Sequence, residues 1–144
     1  MRSASGMPMP SVASNVVATA STSYLEPYNL ARFFGSLDHI SHGRLIMGIG
    51  RSGFPRTYQA YGISYAESRE RFAEVTEIIK RAWTQETFSF QGQYYNFDNV
   101  CVVPKPYAPP YPELRVAVNS PDTFQEQWEA GNPIFVATRL GDLN

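Results

Sequence analysis

Apolar residues fall along the chain in short continuous runs that alternate with longer stretches of helical spacing. The short runs predict four buried strands, over residues 16–20, 45–49, 114–118 and 134–137. The stretches with helical spacing predict three helices, over residues 27–41, 64–83 and 120–131. Since strands and helices alternate, we predict an α/β fold whose parallel strands are joined by right-handed crossovers.

Turn and cap residues mark the ends of these segments. Gly43 is expected to cap the first helix, and Ser64-Tyr65-Ala66-Glu67 has the pattern of a capping box that would begin the second. Ser120 is expected to be the N-cap of the third helix, with a proline at the next position. The remaining segments predict an inserted β-hairpin over residues 87–97 and two irregular links, over residues 52–62 and 104–112.

The length and composition fit one domain. We divide the chain into a flexible N-terminal tail over residues 1–14 and a domain over residues 15–144. The formal net charge of −1 gives no reason to expect a nucleic-acid or membrane-surface partner. No run reaches the ~18 apolar residues that span a bilayer, and no secretory signal is expected before Ser11. The lone Cys101 favours a reducing cytoplasm.

Candidate chemistry lies where two of the predicted strands end. Parallel strands finish at one edge of a sheet, and ligands of such folds bind outside the carboxyl ends of the strands. Arg51 follows the strand 45–49, while Asn119 and Ser120 follow the strand 114–118. If the two strands are neighbours, ~4.8 Å apart, Arg51 and Ser120 meet despite their distance in sequence.

These residues have the chemistry of an anion site. Ser120, Thr123 and the free amides of the third helix's first turn can donate to an anion, and Arg51 adds a guanidinium that matches phosphate. Arg69 lies at the flank of the apolar face of the second helix, so we expect it to point toward the protein and reach the same place. A phosphate monoester suits these donors better than a metal ion, and no metal site is predicted, because the two histidines lie three apart beside a helix end.

Structural roles stay open as alternatives for the same residues. The structural role of Ser120 is that of a simple N-cap, and the structural role of Arg69 is to pair with Glu70 or Glu74 on its own helix. A purely structural role is harder to assign to Arg51, because it follows a glycine at the end of a buried strand.

Several short motifs occur together in one order along the chain. They are Leu37-Asp38-x-Ile40-Ser41-x-Gly43-Arg44-Leu45, Gly48-Ile49-Gly50-Arg51, Tyr61-Gly62, Glu67-Ser68-Arg69, Phe72-x-Glu74, Gly92-x-x-Tyr95, Pro104-Lys105-Pro106 and Val118-Asn119-Ser120-x-x-Thr123. In this order and spacing the set resembles the bacterial luciferase-like family of flavin-dependent monooxygenases. The resemblance covers about residues 16–137, and the ordered set is what makes it specific.

The resemblance implies a fold and a cofactor. The family folds as a (β/α)8 barrel, and this chain matches its strands three to six, so a partial (half) TIM-type (β/α) barrel with parallel strands and an inserted β-hairpin is expected. The implied cofactor is reduced FMN, with the deazaflavin F420 in one branch of the family. The implied phosphate ligands are Arg51, Arg69, Ser120 and Thr123, and the other implied cofactor contacts are Ala18, Thr19 and Asn119. The Ala18–Thr19 step matches a cis peptide beneath the flavin ring.

The expectations about partners come from the barrel strands that the resemblance does not cover. They include the second strand, whose histidine the luciferases use in catalysis, so no catalytic residue is assigned and turnover by this chain is left open. Four parallel strands leave two apolar sheet edges that a soluble protein must cover. We therefore expect two half-barrels to associate as a homodimer, with a flavin reductase as a further partner.

Three functions follow as alternatives. The first is a truncated, luciferase-like FMN-dependent monooxygenase or oxidoreductase that binds the flavin phosphate at the carboxyl ends of its strands. The second is a non-catalytic half-barrel remnant or assembly module, and the third is an F420-dependent oxidoreductase. The substrate does not follow from these residues.

Overall fold

The computed structural model describes residues 14–136. Nearly all of the expected N-terminal tail, and Ala137 at the end of the last predicted strand, therefore lie outside the described residues. The elements in chain order are β1 (Val16–Ser21), α1 (Pro27–Ile40), β2 (Leu45–Gly50), α2 (Pro55–Ala60), α3 (Ser68–Thr84), β3 (Phe88–Gln91), β4 (Asn96–Val100), β5 (Glu113–Val118), α4 (Pro121–Glu129) and β6 (Ile134–Val136). Short 3-10 turns at Thr22–Tyr24 and Tyr65–Glu67 precede α1 and α3.

Four parallel strands form one sheet in the order β1-β2-β5-β6. Thr19 of β1 lies opposite Gly48 of β2, and Met47 of β2 lies opposite Leu114 of β5. The predicted α/β fold with parallel strands is confirmed, and β2 and β5 are the neighbours that the predicted site requires. The predicted hairpin is confirmed as β3 and β4, which form a separate antiparallel pair.

Helices α1 and α3 cover one face of the sheet, and the core lies beneath them. Val75, Ile79 and Trp83 of α3 are spaced to share one helix face, and all three are buried in the main apolar cluster. The indole Nε1 of Trp83 donates to the carbonyl oxygen of Ala31 at 3.0 Å, which ties α3 to α1. Burial of this face against the strands is the main source of stability in the fold.

The opposite face of the sheet lines a cavity and carries no helix within residues 14–136. At Gly48, in the middle of this face, a Cβ atom would lie 2.5 Å from the Cγ2 of Thr19 and 3.1 Å from the ring of Phe135, so only glycine fits there. The two edge strands each expose a valine, since Val17 of β1 is 55% exposed and Val136 of β6 is 66% exposed. The described sheet is therefore half of a layered structure, covered by helices on one side only.

The start of α3 differs from the predicted capping box. The helix begins at Ser68, and Ser64 instead precedes the 3-10 turn, where its side chain makes no capping hydrogen bond. Glu67 does not reach back toward Ser64 because its carboxylate accepts from Nε of Arg71 at 2.8 Å, one turn further along. The ion pair one turn into the helix replaces the reciprocal cap.

The end of α1 is also one step from its prediction. Ser41 is the cap residue, and His42 and Gly43 both have left-handed backbones, with φ of 53° and 73°. The amide of Gly43 donates to the carbonyl of Asp38, and that of His42 donates to the carbonyl of His39, which is the hydrogen-bond pattern of a Schellman motif. Gly43 thus helps to end the helix, one position beyond the residue that turns first.

The segment predicted as an irregular link after β2 contains a short helix. Helix α2 has Pro55 in its first turn, and its Tyr58 is fully buried. The prediction of an irregular link was wrong over these residues, because burial of one aromatic side chain fixes a turn of helix that is too short to show helical periodicity. Within residues 14–136, no helix has both the length and the apolar character needed to cross a membrane.

Candidate functional site

A cavity of about 830 Å³ lies at the carboxyl ends of β1, β2 and β5, within the size range of small-molecule sites. Its floor is the open face of the sheet, and its rim is formed by the segments that leave the strands. Of the predicted site residues, six line the cavity: Thr19, Arg51, Arg69, Asn119, Ser120 and Thr123.

Arg51 is held by its backbone at the end of β2. Its side chain is partly buried, and its carbonyl oxygen accepts a hydrogen bond from the hydroxyl of Tyr58. Burial raises the pKa of the Tyr58 hydroxyl above its ordinary value of 10.0, so this hydroxyl remains a donor at neutral pH. Within residues 14–136 the ion pairs all involve other arginines, and the guanidinium of Arg51 can therefore pair with a ligand.

Ser120 begins α4 as predicted. Its backbone is extended, and its Oγ accepts from the amide of Thr123 at 3.4 Å while lying 3.0 Å from the Oγ1 of Thr123. Thr123 is buried and Ser120 half-buried, so both hydroxyls line the cavity from a fixed helix end. The cap and a ligand site are compatible, because the other amides of the first turn still lack intrahelical acceptors.

Arg69 reaches the cavity, but not in the predicted way. We expected it to point toward the protein and reach the site, with pairing to Glu70 or Glu74 as the structural alternative, and its exposure and its partner differ from both. Its side chain is 60% exposed, and its Nη1 pairs instead with Oε2 of Glu126 on α4 at 3.1 Å. The crossover brings the first turn of α3 beside α4, so the partner comes from a helix 57 residues away in sequence.

Two buried hydroxyls hold these segments together. The Oγ of Ser23, in the turn after β1, donates to the carbonyl of Ser68 at 2.9 Å, which anchors the start of α3 next to Arg69. The Oγ1 of Thr22 lies 3.5 Å from the carbonyl of Gly50, next to Arg51. The turn after β1 therefore positions both arginines through the backbones of their neighbours.

The Ala18–Thr19 step differs from what the resemblance implies. Among the described residues the cis peptide bonds are Val103–Pro104 and Pro109–Pro110, so the Ala18–Thr19 bond is trans. The physical reason is that both residues remain in the regular parallel ladder, opposite Met47 and Gly48. Thr19 faces the cavity, whereas Ala18 packs against the core on the other face of β1.

An aromatic wall, formed by Tyr24, Phe54 and Tyr65, lines the cavity near Arg51. The ring of Tyr24 makes an edge contact with Tyr58 at 5.1 Å, and Tyr58 makes another with Tyr65 at 5.2 Å. Phe54 is 73% exposed, so an apolar surface is available at the mouth of the cavity. Sequence reasoning missed this wall, because it predicted only an irregular link over residues 52–62.

Glu126 was also missed, although the sequence contained a signal for it. It lies three residues after Thr123 on a predicted helix, and residues three apart share a helix face. Among the described residues that line the cavity, the charged ones are Arg51, Arg69 and Glu126. Two cations and one carboxylate leave a net positive charge, which favours an anionic ligand.

A metal ion has no comparable set of ligands in the described part of the chain. Residues 14–136 contain no group of three or more histidine, cysteine, aspartate or glutamate side chains that could hold one. The cavity instead offers guanidinium, hydroxyl and amide donors together with aromatic and small apolar surfaces. Such a lining suits a ligand that carries both a phosphate and a planar apolar group.

Comparison with protein families and known proteins gives a consistent result. The family model described as luciferase-like monooxygenase matches residues 15–143. An F420-dependent glucose-6-phosphate dehydrogenase of Kineococcus radiotolerans is 35% identical over 83% of this chain and 37% of its own length. An FMNH(2)-dependent dimethylsulfone monooxygenase of Pseudomonas putida is 32% identical over 61% of this chain and 25% of its own length.

A solved structure matches at the level of the fold and the sequence. The monooxygenase RslO1 of Streptomyces bottropensis superposes with a TM-score of 0.71 and 32% identity, covering 83% of this chain and 36% of that chain. The chain thus spans about a third of the length of the relatives it matches, from 25% to 37% in these three cases. The half-covered sheet corresponds to this partial coverage.

Proposed function

We propose that this chain, which belongs to the luciferase-like monooxygenase family, binds a phosphorylated flavin-type cofactor in the cavity, with reduced FMN as the first candidate. The observation that carries the proposal is the meeting of Arg51, Arg69, Ser120 and Thr123 at one cavity, from segments distant in sequence. We call these four residues the anion cluster. In this role the chain is a flavin-dependent monooxygenase or oxidoreductase homologue.

The residues present fit the phosphate of such a cofactor. Arg51 would supply the main cation, since it lacks a competing carboxylate within the described residues, and Ser120 and Thr123 would donate hydroxyl hydrogen bonds. The α4 amides add the positive end of the helix dipole. Thr19 and Gly48 on the floor and the aromatic wall supply small and aromatic surfaces that suit a planar ring system.

The chemistry would come from the cofactor rather than from a side chain assigned here. When bound, FMN supplies redox chemistry, and the residues of this chain bind its phosphate, orient it and exclude water on one side. No catalytic acid or base is part of the proposal.

F420 is a second candidate cofactor, favoured by the name of the Kineococcus relative, which is the F420-dependent protein in the comparison. A non-catalytic half-barrel is the third candidate. These three candidates differ in what the cavity should bind. The first candidate predicts that FMN binds, the second that F420 binds, and the third that neither cofactor binds.

A titration separates these candidates. We would measure the affinity of the protein for FMN, anaerobically reduced FMN and F420 by fluorescence, using the unmodified chain, Arg51→Ala and Arg56→Ala. Arg51→Ala should weaken FMN binding by about 1.5–3 kcal/mol, the value of a charge-assisted contact. Arg56 is the matched control, because it is an exposed arginine of α2 outside the cavity lining.

The outcomes point to different conclusions. Equal weakening by the two substitutions would contradict the assignment of Arg51 to the phosphate. Binding of F420 in place of FMN would move the proposal to the second candidate. If neither cofactor bound, the non-catalytic half-barrel would be the better description.

We also propose that the chain associates as a homodimer in the cytoplasm, with a flavin reductase as a transient partner. Val17 and Val136 on the two edge strands support the dimer, because exposed apolar strand edges favour pairing. Light scattering on a gel-filtered sample at micromolar concentration should give twice the chain mass of 16.2 kDa. A compact monomer would contradict the dimer and leave the cofactor proposal standing.

A further inference from the structure

We propose that Glu126 is a specificity-determining residue beside the anion cluster. Glu126 competes with bound phosphate for Arg69 and so lowers the affinity for phosphorylated ligands. This inference rests on the proposed function. It starts from the contact between Oε2 of Glu126 and Nη1 of Arg69 at 3.1 Å, at the edge of the same cavity.

The position of Glu126 distinguishes it from the other carboxylates of α4. Asp122 lies in the first turn, where an acid stabilises the helix dipole, and Glu129 accepts from Nε2 of Gln125 at 2.8 Å. Neither of them lines the cavity, whereas Glu126 does. Of the carboxylates in the described part of the chain, Glu126 is thus the one placed to oppose an anion there.

The pair is weak enough to be exchanged. Its side chains are 60% and 52% exposed, and exposed ion pairs contribute little to stability. A phosphate dianion carries twice the charge of the carboxylate and offers more acceptor atoms. Bound phosphate would therefore draw the Arg69 guanidinium away from Glu126. The affinity for phosphate would fall by the free energy of the broken ion pair and by the remaining repulsion between Glu126 and the phosphate.

The effect should depend on phosphate rather than on the ring. FMN and riboflavin share the ring system and differ by the phosphate, so their affinity ratio isolates the anion cluster. Glu126→Gln removes the negative charge and keeps the shape, and it should raise the preference for FMN over riboflavin by about three- to tenfold at moderate salt. Because affinity changes at one site lie mostly in dissociation, FMN should also leave more slowly.

The experiment uses four matched proteins: the unmodified chain, Glu126→Gln, Glu126→Asp and Glu129→Gln. Dissociation constants for FMN and riboflavin are measured at two salt concentrations, and circular dichroism checks that each variant is folded. Glu126→Asp keeps the charge and should keep most of the original ratio, and Glu129→Gln should leave it unchanged. The expected result is a larger ratio of FMN affinity to riboflavin affinity in Glu126→Gln alone, and this increase should become smaller at high salt.

Two other results overturn the inference in different ways. If the unmodified chain prefers FMN and Glu126→Gln leaves the ratio unchanged, Glu126 has no role in specificity, and the proposed function stands. If neither the unmodified chain nor Glu126→Gln prefers FMN over riboflavin, the proposed function fails and this inference fails with it.

A double-mutant cycle tests whether Glu126 acts through Arg69. In an Arg69→Gln background, Glu126→Gln should give a smaller gain in the FMN ratio than in the unmodified chain, because the competition has been removed. An equal gain in both backgrounds would mean that Glu126 repels the phosphate directly, and the proposed competition would be wrong.

Discussion

Two arginines of α3, only two residues apart, belong to regions that use charge in opposite ways. Arg71 is 18% exposed, pairs with Glu67 at 2.8 Å and lies over the ring of Tyr94 at 4.2 Å from its centre. Arg69 is 60% exposed, and within residues 14–136 its ion-pair partner is Glu126. The first arginine is surrounded by contacts on several sides, and the second keeps most of its donors free.

The region around Arg71 holds the inserted hairpin to α3, and we call it the hairpin dock. In the hairpin dock Glu74 accepts from the amides of Gln93, Tyr94 and Tyr95, at 2.6, 3.1 and 3.2 Å. Burial is the largest single influence on the pKa of Arg71 and lowers it, but the hydrogen bonds and charge interactions with Glu67 and Tyr95 together outweigh burial, and the pKa stands above its ordinary value. Charges here stabilise structure, because Arg71 and Glu74 both have partners within the protein.

The anion cluster shows the reverse. Arg51 makes no ion pair within residues 14–136, and Arg69 makes one exposed pair. Both lie beside a helix N-terminus, where positive charge is already in excess. Unmatched donors that converge on a cavity are costly for stability and useful for binding, and this difference is what separates a site from a structural network.

The largest effect that would test this contrast is on the hairpin dock. Glu74→Ala should lower the free energy of unfolding by about 2 kcal/mol, because three backbone donors lose a charged acceptor. Urea unfolding would measure it, and FMN affinity should not change. Glu70→Ala, an exposed position on the same helix, is the control and should stay within about 0.5 kcal/mol of the unmodified chain. Equal stability of the two variants would contradict a structural role for the hairpin dock.

Ser120→Asp gives the next largest effect and sharpens the contrast from the other side. Aspartate is as good an N-cap as serine, so the free energy of unfolding should remain within about 0.5 kcal/mol. A new negative charge in the anion cluster should weaken FMN binding by about tenfold, through repulsion of the phosphate. Calorimetric titration measures this, with riboflavin as the ligand that should be unaffected. Unchanged FMN affinity would place the phosphate away from α4.

Much of the fold could be predicted from the sequence, since apolar runs and helical spacing indicate the order of the strands and helices. The convergence of Arg51 and Ser120 followed from the rule that parallel strands end at one edge. The partner of Arg69 did not follow, because side-chain pairing across a crossover depends on the separation of α3 and α4. Sequence spacing identifies only neighbours on one helix, which is why Glu70 and Glu74, and not Glu126, were the partners considered in the structural alternative for Arg69.

The trans Ala18–Thr19 bond and the aromatic wall were beyond prediction for a related reason. Whether a peptide keeps its place in a ladder depends on the strand beside it, here the regular register with Met47 and Gly48. The aromatic wall depends on how α2 and the turn after β1 pack around Tyr58, which no periodicity in so short a segment reveals.

The smallest and most direct comparison replaces each arginine of α3 with methionine, which keeps an apolar stem without the charge. Arg71→Met should lower the free energy of unfolding by about 1 kcal/mol, from the lost ion pair and ring contact, and leave FMN affinity unchanged. Arg69→Met should change stability by less than about 0.5 kcal/mol, because its pair is exposed, and weaken FMN about fivefold. Urea unfolding and fluorescence titration on the same preparations measure both quantities. If the two variants lost stability and affinity in equal proportion, the division of α3 into a structural and a binding side would be wrong.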